Sequence, residues 1–233
     1  MMNKTLPTII GLLTLLLLLT GCAKDDALKE PSKVGVRFAL NSTGVGGSDR
    51  LELSAGYVTL GAIEIEGERT EGDAFIFKRT FPSGLRIDFN ATSSVEDLLF
   101  DLPQGEYENL KVRFTTLEQS NTPCLMVLGK YGYRQPANGS TWVDIAWRTG
   151  KTFERVVTTV QGAPTFTLEE ASKTITFSIQ PKLWFQGISE VKLEQALCTS
   201  STRGQVMLID PITNDNMFQV IDLELGTTLK ATL

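Results

Sequence analysis

The chain has no histidine among its 233 residues. That absence excludes Ser-His-Asp and Cys-His nucleophile systems, whose proton transfers run through an imidazole. It also removes the commonest ligand for zinc, copper and non-haem iron, and with it histidine-ligated haem. Carboxylate-only hydrolysis and oxygen-ligated calcium are the chemistries left open. An excess of basic residues is missing too. Lys and Arg total 22 against 27 Asp and Glu, for a formal net charge of −5. Without a basic stripe, nucleic acid is not an expected partner. Cysteine is scarce, with three in the chain. Beyond the N-terminal segment no apolar run approaches the ~20 residues that a membrane-spanning helix needs.

What is present begins with a short basic start, Met1-Met2-Asn3-Lys4, and an apolar stretch from Ile9 to Leu19. Small residues then lead to a cysteine, in Leu19-Thr20-Gly21-Cys22. A basic start, a short apolar segment and a small-residue cut site predict a secretory signal over residues 1–21. Leu-Thr-Gly-Cys resembles the lipobox of bacterial lipoproteins. The resemblance implies cleavage before Cys22 and acylation of its thiol. Several acyl chains make such attachment stable, since each buried methylene contributes about 0.8 kcal/mol. Removing residues 1–21 takes away one positive charge, Lys4, so the net charge becomes −6.

Residues 22–33 are charged, lack a hydrophobic repeat and contain Pro31, which predicts a flexible tether. Ala23 follows the cysteine, so an inner-membrane retention signal is not evident. Lys24-Asp25-Asp26 resembles the acidic export signal of Bacteroidetes surface lipoproteins. The expected address is the outer membrane, anchored by lipid on Cys22 and exposed at the cell surface, with a periplasm-facing lipoprotein as the alternative. With Cys22 acylated, Cys124 and Cys198 remain. Outside the cytoplasm two leftover cysteines usually pair. A Cys124–Cys198 disulfide is therefore expected, closing a loop of about 75 residues and contributing on the order of 4 kcal/mol.

From Val34 onward the dominant period is two. Val34, Val36, Phe38 and Leu40 alternate with small or polar neighbours, as do Leu85, Ile87 and Phe89; Leu110, Val112 and Phe114; and Ile175, Phe177 and Ile179. Such alternation marks strands with one face buried. Turn-rich stretches separate them. The pattern predicts an all-β fold, an antiparallel β-sandwich over 34–233, or two smaller sandwiches over 34–118 and 124–233. Asn214-Asp215-Asn216 predicts the start of a short helix carrying Met217, Phe218, Ile221 and Leu225 to Gly226. Gly187 to Ala196 is a candidate for a second short helix.

Asp101-Leu102-Pro103-Gln104-Gly105-Glu106-Tyr107 precedes one alternating run. Pro103 and Gly105 suit a tight turn. The hydroxyl of Tyr107 can then reach back to the turn backbone, as in a tyrosine corner. With Leu183-Trp184-Phe185 and the segment from Asn214 to Leu225, this resembles the transthyretin-like or immunoglobulin-like Greek-key sandwiches of Bacteroidetes surface lipoproteins. That resemblance implies a fold and transfers no catalytic residue.

Candidate binding chemistry centres on Trp142. Val143, Ile145 and Trp147 share the face that reads as buried. Trp142, Asp144, Ala146 and Arg148 share the other. Trp142 is also near Tyr131 and Tyr133 in sequence. Aromatics beside carboxylate and guanidinium groups suit sugar recognition, so Trp142, Tyr131, Tyr133, Asp144 and Arg148 form the candidate ligand set. Trp184 and Phe185 would face opposite ways in a strand, and read as packing. Asp210, Asn214, Asp215 and Asn216 lack the spacing of an EF-hand loop and read as a capped turn. Glu96-Asp97 and Glu169-Glu170 read as turn residues. No catalytic residue, metal site or cofactor is expected. The expectation is a non-enzymatic surface protein that binds, adheres or assembles. A glycan-binding accessory of nutrient uptake and a fimbrillin-like fibre subunit are its two specific forms, with a glycan or a surface protein as partner.

Overall fold

The computed structural model describes residues 30–42, 49–91, 95–134 and 139–233. The expected leader 1–21, Cys22 and most of the expected tether lie outside the described residues. Thirteen strands form one hydrogen-bonded sheet. They are β1 (Ser32–Leu40), β2 (Leu51–Arg69), β3 (Phe75–Asp88), β4 (Leu99–Leu102), β5 (Gly105–Thr116), β6 (Leu125–Gly132), β7 (Ser140–Trp147), β8 (Thr152–Thr158), β9 (Phe166–Leu168), β10 (Lys173–Ile179), β11 (Cys198–Ser201), β12 (Gly204–Ile209) and β13 (Lys230–Thr232). The fold is all-β, as the alternation predicts, with three α-helices among the described residues, α1 (Pro181–Trp184), α2 (Glu190–Glu194) and α3 (Asp215–Thr228), and a 3-10 turn at Glu96–Leu98.

The expectation of an antiparallel sheet is corrected. β1 runs parallel to β10, β12 to β7, and β13 to β8. Alternation decides which face a side chain takes, and it is blind to strand direction. The tether boundary is corrected as well. β1 begins at Ser32, which is fully buried and pairs with Leu102. A strand edge captures this polar residue because its backbone completes the ladder with β4.

The main path runs β11-β12-β7-β6-β2-β5-β8-β13-β10-β1-β4. β5 and β6 lie end to end along one edge of β2: Thr116 pairs with Leu60, and Leu125 with Val58. β3 takes the other edge of β2. From β3 through β2, β5, β8, β13, β10 and β1 to β4, the sheet curls until its ends approach. There Arg79 of β3 donates to the carbonyls of Asp97 and Leu99, and its guanidinium lies 4.7 Å above the Phe100 ring. The interior of the curl is aromatic. Phe114 of β5 meets Phe38 of β1, Phe177 of β10 and Phe153 of β8 at centroid distances of 5.1, 5.0 and 5.0 Å. On the outer face, Lys78, Glu64, Arg113 and Glu154 form an alternating ladder of charges across four strands. The Glu154 carboxyl sits below its usual range because Arg113 bonds to it.

The turn before β5 has the expected form. Gly105 takes a φ of +139°, and the Tyr107 hydroxyl donates to the Pro103 carbonyl at 2.6 Å. Trp184 and Phe185 are not in a strand. α1 ends at Trp184, and both side chains are buried. Pro181 at the first helical position explains the local helix. α3 carries Met217, Phe218, Ile221 and Leu225 inward and continues past Gly226 to Thr228.

The expected disulfide is absent. Cys124 and Cys198 are both free. Cys124 is buried beyond the end of β7, with its thiol donating to the Trp147 carbonyl at 3.3 Å. Cys198 lies at the start of β7, next to Thr141. The six steps from Thr141 to Trp147 span about 20 Å of strand, whereas a disulfide needs Cα atoms within about 7 Å. Counting cysteines cannot reveal that they occupy opposite ends of one strand.

Candidate functional site: a cleft at Trp142

β7 alternates as its residues predict. Val143, Ile145 and Trp147 point into the core, and Trp142 is half-buried on the opposite face. What surrounds Trp142 comes from strand pairing. Lys130 of β6 lies directly across from it, with Nζ 4.3 Å from the indole centroid. The two-residue turn between β11 and β12 supplies Arg203. Gly204, at φ +100°, allows that turn, and the Ser201 hydroxyl accepts from the Arg203 N–H at 3.1 Å. The guanidinium stands 5.5 Å from the Trp142 centroid, and the indole N–H donates to the Arg203 carbonyl at 2.7 Å.

Arg203 is held in place by Asp144, which is buried and pairs with it through Oδ2. The other oxygen, Oδ1, is buried with no hydrogen-bond partner among the described residues. Below Trp142 and Lys130 a cleft of about 330 Å³ opens, floored by Ala55, Leu128 and Gly129, with Glu52 on its rim. A Cβ on Gly129 would lie 2.0 Å from the Glu52 carbonyl. The register of β2 against β6 shifts between Leu53 and Ala55, and this irregularity brings the β2 backbone close to Gly129.

Of the five residues expected to bind ligand, the structure brings Trp142 and Asp144 together. The other three are corrected. Tyr131 pairs with Thr141, so it faces inward, away from Trp142. It is fully buried and donates to Glu194 Oε1 at 3.1 Å. Tyr133 packs edge-on against it at 5.6 Å and contacts the Cys198 sulfur at 3.4 Å. Arg148 lies just past the end of β7, six positions and about 20 Å from Trp142. It approaches Asp210 at 3.8 Å instead. Lys130, Arg203 and Glu52 were not legible as site residues. An Arg-Gly pair before an apolar run was the one local signal, and it marks a turn.

Burial pushes the Tyr131 hydroxyl up to about 12, aided by the bond to Glu194. Burial also pushes Tyr133 up to about 12, aided by Cys198. Both phenols keep their protons in the folded state where the unfolded chain, near 10, loses them. Their contribution is complete below pH 10 and is lost as pH rises from 10 to 12. Thermal denaturation across that window is expected to show a steep fall in stability, and Tyr131→Phe should lessen it. A flat profile would refute the assignment.

A second cleft, of about 460 Å³, lies beside α3 and is lined by Lys151, Phe153 and Asp222. Its charges are already used. Asp222 accepts from the buried Trp147 indole at 2.7 Å and from Lys151 at 2.9 Å. The Asp210 carboxylate accepts from the backbone of Ile212 and Thr213 at 2.9 and 2.6 Å, the turn its sequence predicts. Among the described residues, no three His, Cys, Asp or Glu side chains converge to hold a metal ion. None of the helices among the described residues is long and apolar enough to cross a membrane. No family model, curated protein or solved structure matches the chain.

Proposed function

We propose that the chain is a lipid-anchored, non-catalytic binding protein of the outer membrane, displayed on the cell surface, and that the Trp142 cleft is its binding face. The cleft carries the binding half of this reading. It sets a half-buried tryptophan beside the guanidinium of Arg203 and the ammonium of Lys130, in a cavity of small-molecule size. The anchoring half rests on Leu19-Thr20-Gly21-Cys22. From Cys22 to the first residue of β1 is a span of ten residues, about 35 Å at full extension. That length lets the folded body stand clear of lipid headgroups.

Labelling with a palmitate analogue tests the anchor. The wild type is expected to incorporate label and sediment with membranes, and Cys22→Ser to lose both properties. Label retained in Cys22→Ser would remove the anchor assignment. Protease treatment of intact cells is expected to digest the protein. A hydrolytic activity of the purified chain, abolished by one carboxylate substitution, would overturn the non-catalytic reading.

A further inference from the structure

We propose that the Trp142 cleft takes a neutral saccharide, one pyranose ring stacked on the indole with vicinal hydroxyls bridging Glu52 and Lys130. The assignment rests on the binding role proposed above. Its starting point is the state of the charges. Lys130 and Glu52 face each other across β6 and β2 on the same side of the sheet, yet they form no ion pair. Among the described residues the Lys130 ammonium has one partner, the Trp142 ring. The Glu52 carboxylate has no bonded partner there. A strong donor and a strong acceptor therefore stand side by side, uncombined, at the mouth of one cavity.

A hydroxyl needs both. It donates to the carboxylate and accepts from the ammonium, and two adjacent hydroxyls use both groups in full. A carboxylate-bearing ligand would satisfy Lys130 but be repelled by Glu52. An ammonium-bearing ligand meets the opposite conflict. A fully apolar ligand would leave both charges desolvated without partners. A neutral polyol uses both groups through its hydroxyls and brings no like charge against either.

The apolar side of the cleft agrees. Ala55, Leu128 and Gly129 line it, and the Trp142 indole adds an aromatic surface that can pack on the C–H face of a pyranose. The volume of about 330 Å³ fits one or two rings and leaves the rest of a chain outside. Arg203 is oriented by Asp144 and by its own carbonyl bond to the indole, so its remaining N–H groups are preorganised. Asp144 Oδ1 adds an unused acceptor behind it.

The test uses the full lipidated protein in detergent. Cellohexaose, xylohexaose, mannohexaose and maltohexaose serve as neutral probes, and a polygalacturonate oligomer as the acidic one. Trp142 is the solvent-accessible indole, since Trp147 and Trp184 are buried. Saturable change in tryptophan emission with at least one neutral probe, confirmed by calorimetry, is the expected result. Trp142→Ala is expected to weaken binding about tenfold or more. Lys130→Met and Glu52→Gln are each expected to weaken it about fivefold. Both side chains are at the surface, so these variants should melt like the wild type. No response to any probe, response to the acidic oligomer alone, or binding unchanged in Lys130→Met and Glu52→Gln would each overturn the assignment. Surface digestion of intact cells reads the location separately. A surface-displayed protein that ignores every oligosaccharide loses the saccharide assignment and keeps the anchor.

Discussion

Phe114→Ala is expected to lower stability by about 3–5 kcal/mol, the range for truncating a buried phenylalanine. The residue is 3 % exposed and touches three other rings, each from a different strand. β5 and β8 lie on one side of the curled sheet, and β1 and β10 on the other. Phe114 is the ring at which they meet, so its loss removes transfer energy and leaves a cavity that rigid strands cannot close. Edge-on geometry against Phe38 and Phe177 adds to the loss. Domains typically have about 5–15 kcal/mol in total, so this is a large share. At about 2–4 °C per kcal/mol, the melting temperature should fall by about 6–20 °C. Phe114→Leu should cost clearly less. A loss under about 1 kcal/mol for the alanine variant would show that the two sides are not held together through this ring.

Gly129→Ala is the second large effect, and it joins the fold to the cleft. The added methyl would sit 2.0 Å from the Glu52 carbonyl and 2.7 Å from Leu53 Cδ2. A side-chain terminus can turn away, but a backbone carbonyl in a ladder cannot. β2 and β6 must separate, which strains the pairs on either side, Leu51 with Tyr131 and Ala55 with Leu128. Overpacking of this kind costs about 1–3 kcal/mol. The methyl falls on the core face, beside the buried Leu53, so it reaches the cleft through the backbone: parting β2 from β6 shifts Lys130 relative to Glu52. The expected outcome is a melting temperature lower by several degrees, together with loss of any oligosaccharide response. An unchanged melting temperature would mean that the strands have room to spare, and would remove the close approach from the account of the site.

Several elements were legible in the residues because their cause is local. The alternation of Val34 to Leu40 and of Leu110 to Phe114 gives strands with those residues inside. Pro103, Gly105 and Tyr107 encode their turn within five positions, and the hydroxyl bond to Pro103 follows. The run of Met217, Phe218, Ile221 and Leu225 encodes the buried stripe of α3. The two faces of β7 were also legible, since parity within a strand is a property of the strand alone.

The remainder depends on register. Tyr131 and Trp142 are eleven positions apart, and whether they share a face depends on how β6 pairs with β7. That pairing sets Lys130 opposite Trp142, which sends Tyr131 and Tyr133 inward. Arg203 reaches Trp142 from 61 positions away, through a turn whose place beside β7 depends on β12 pairing in parallel.

Composition and local pattern by themselves determined the all-β class, the positions of the main strands and helices, the lack of imidazole chemistry and the resemblance at Cys22 to an acylation site. Those are matters of residue type and near spacing. Only the tertiary structure decided strand direction, the separation of Cys124 from Cys198 and the company kept by Trp142. Each of these is a distance between residues remote in the chain, set by hydrogen-bond register across a sheet. Moving that register by one position would turn every side chain to the other face.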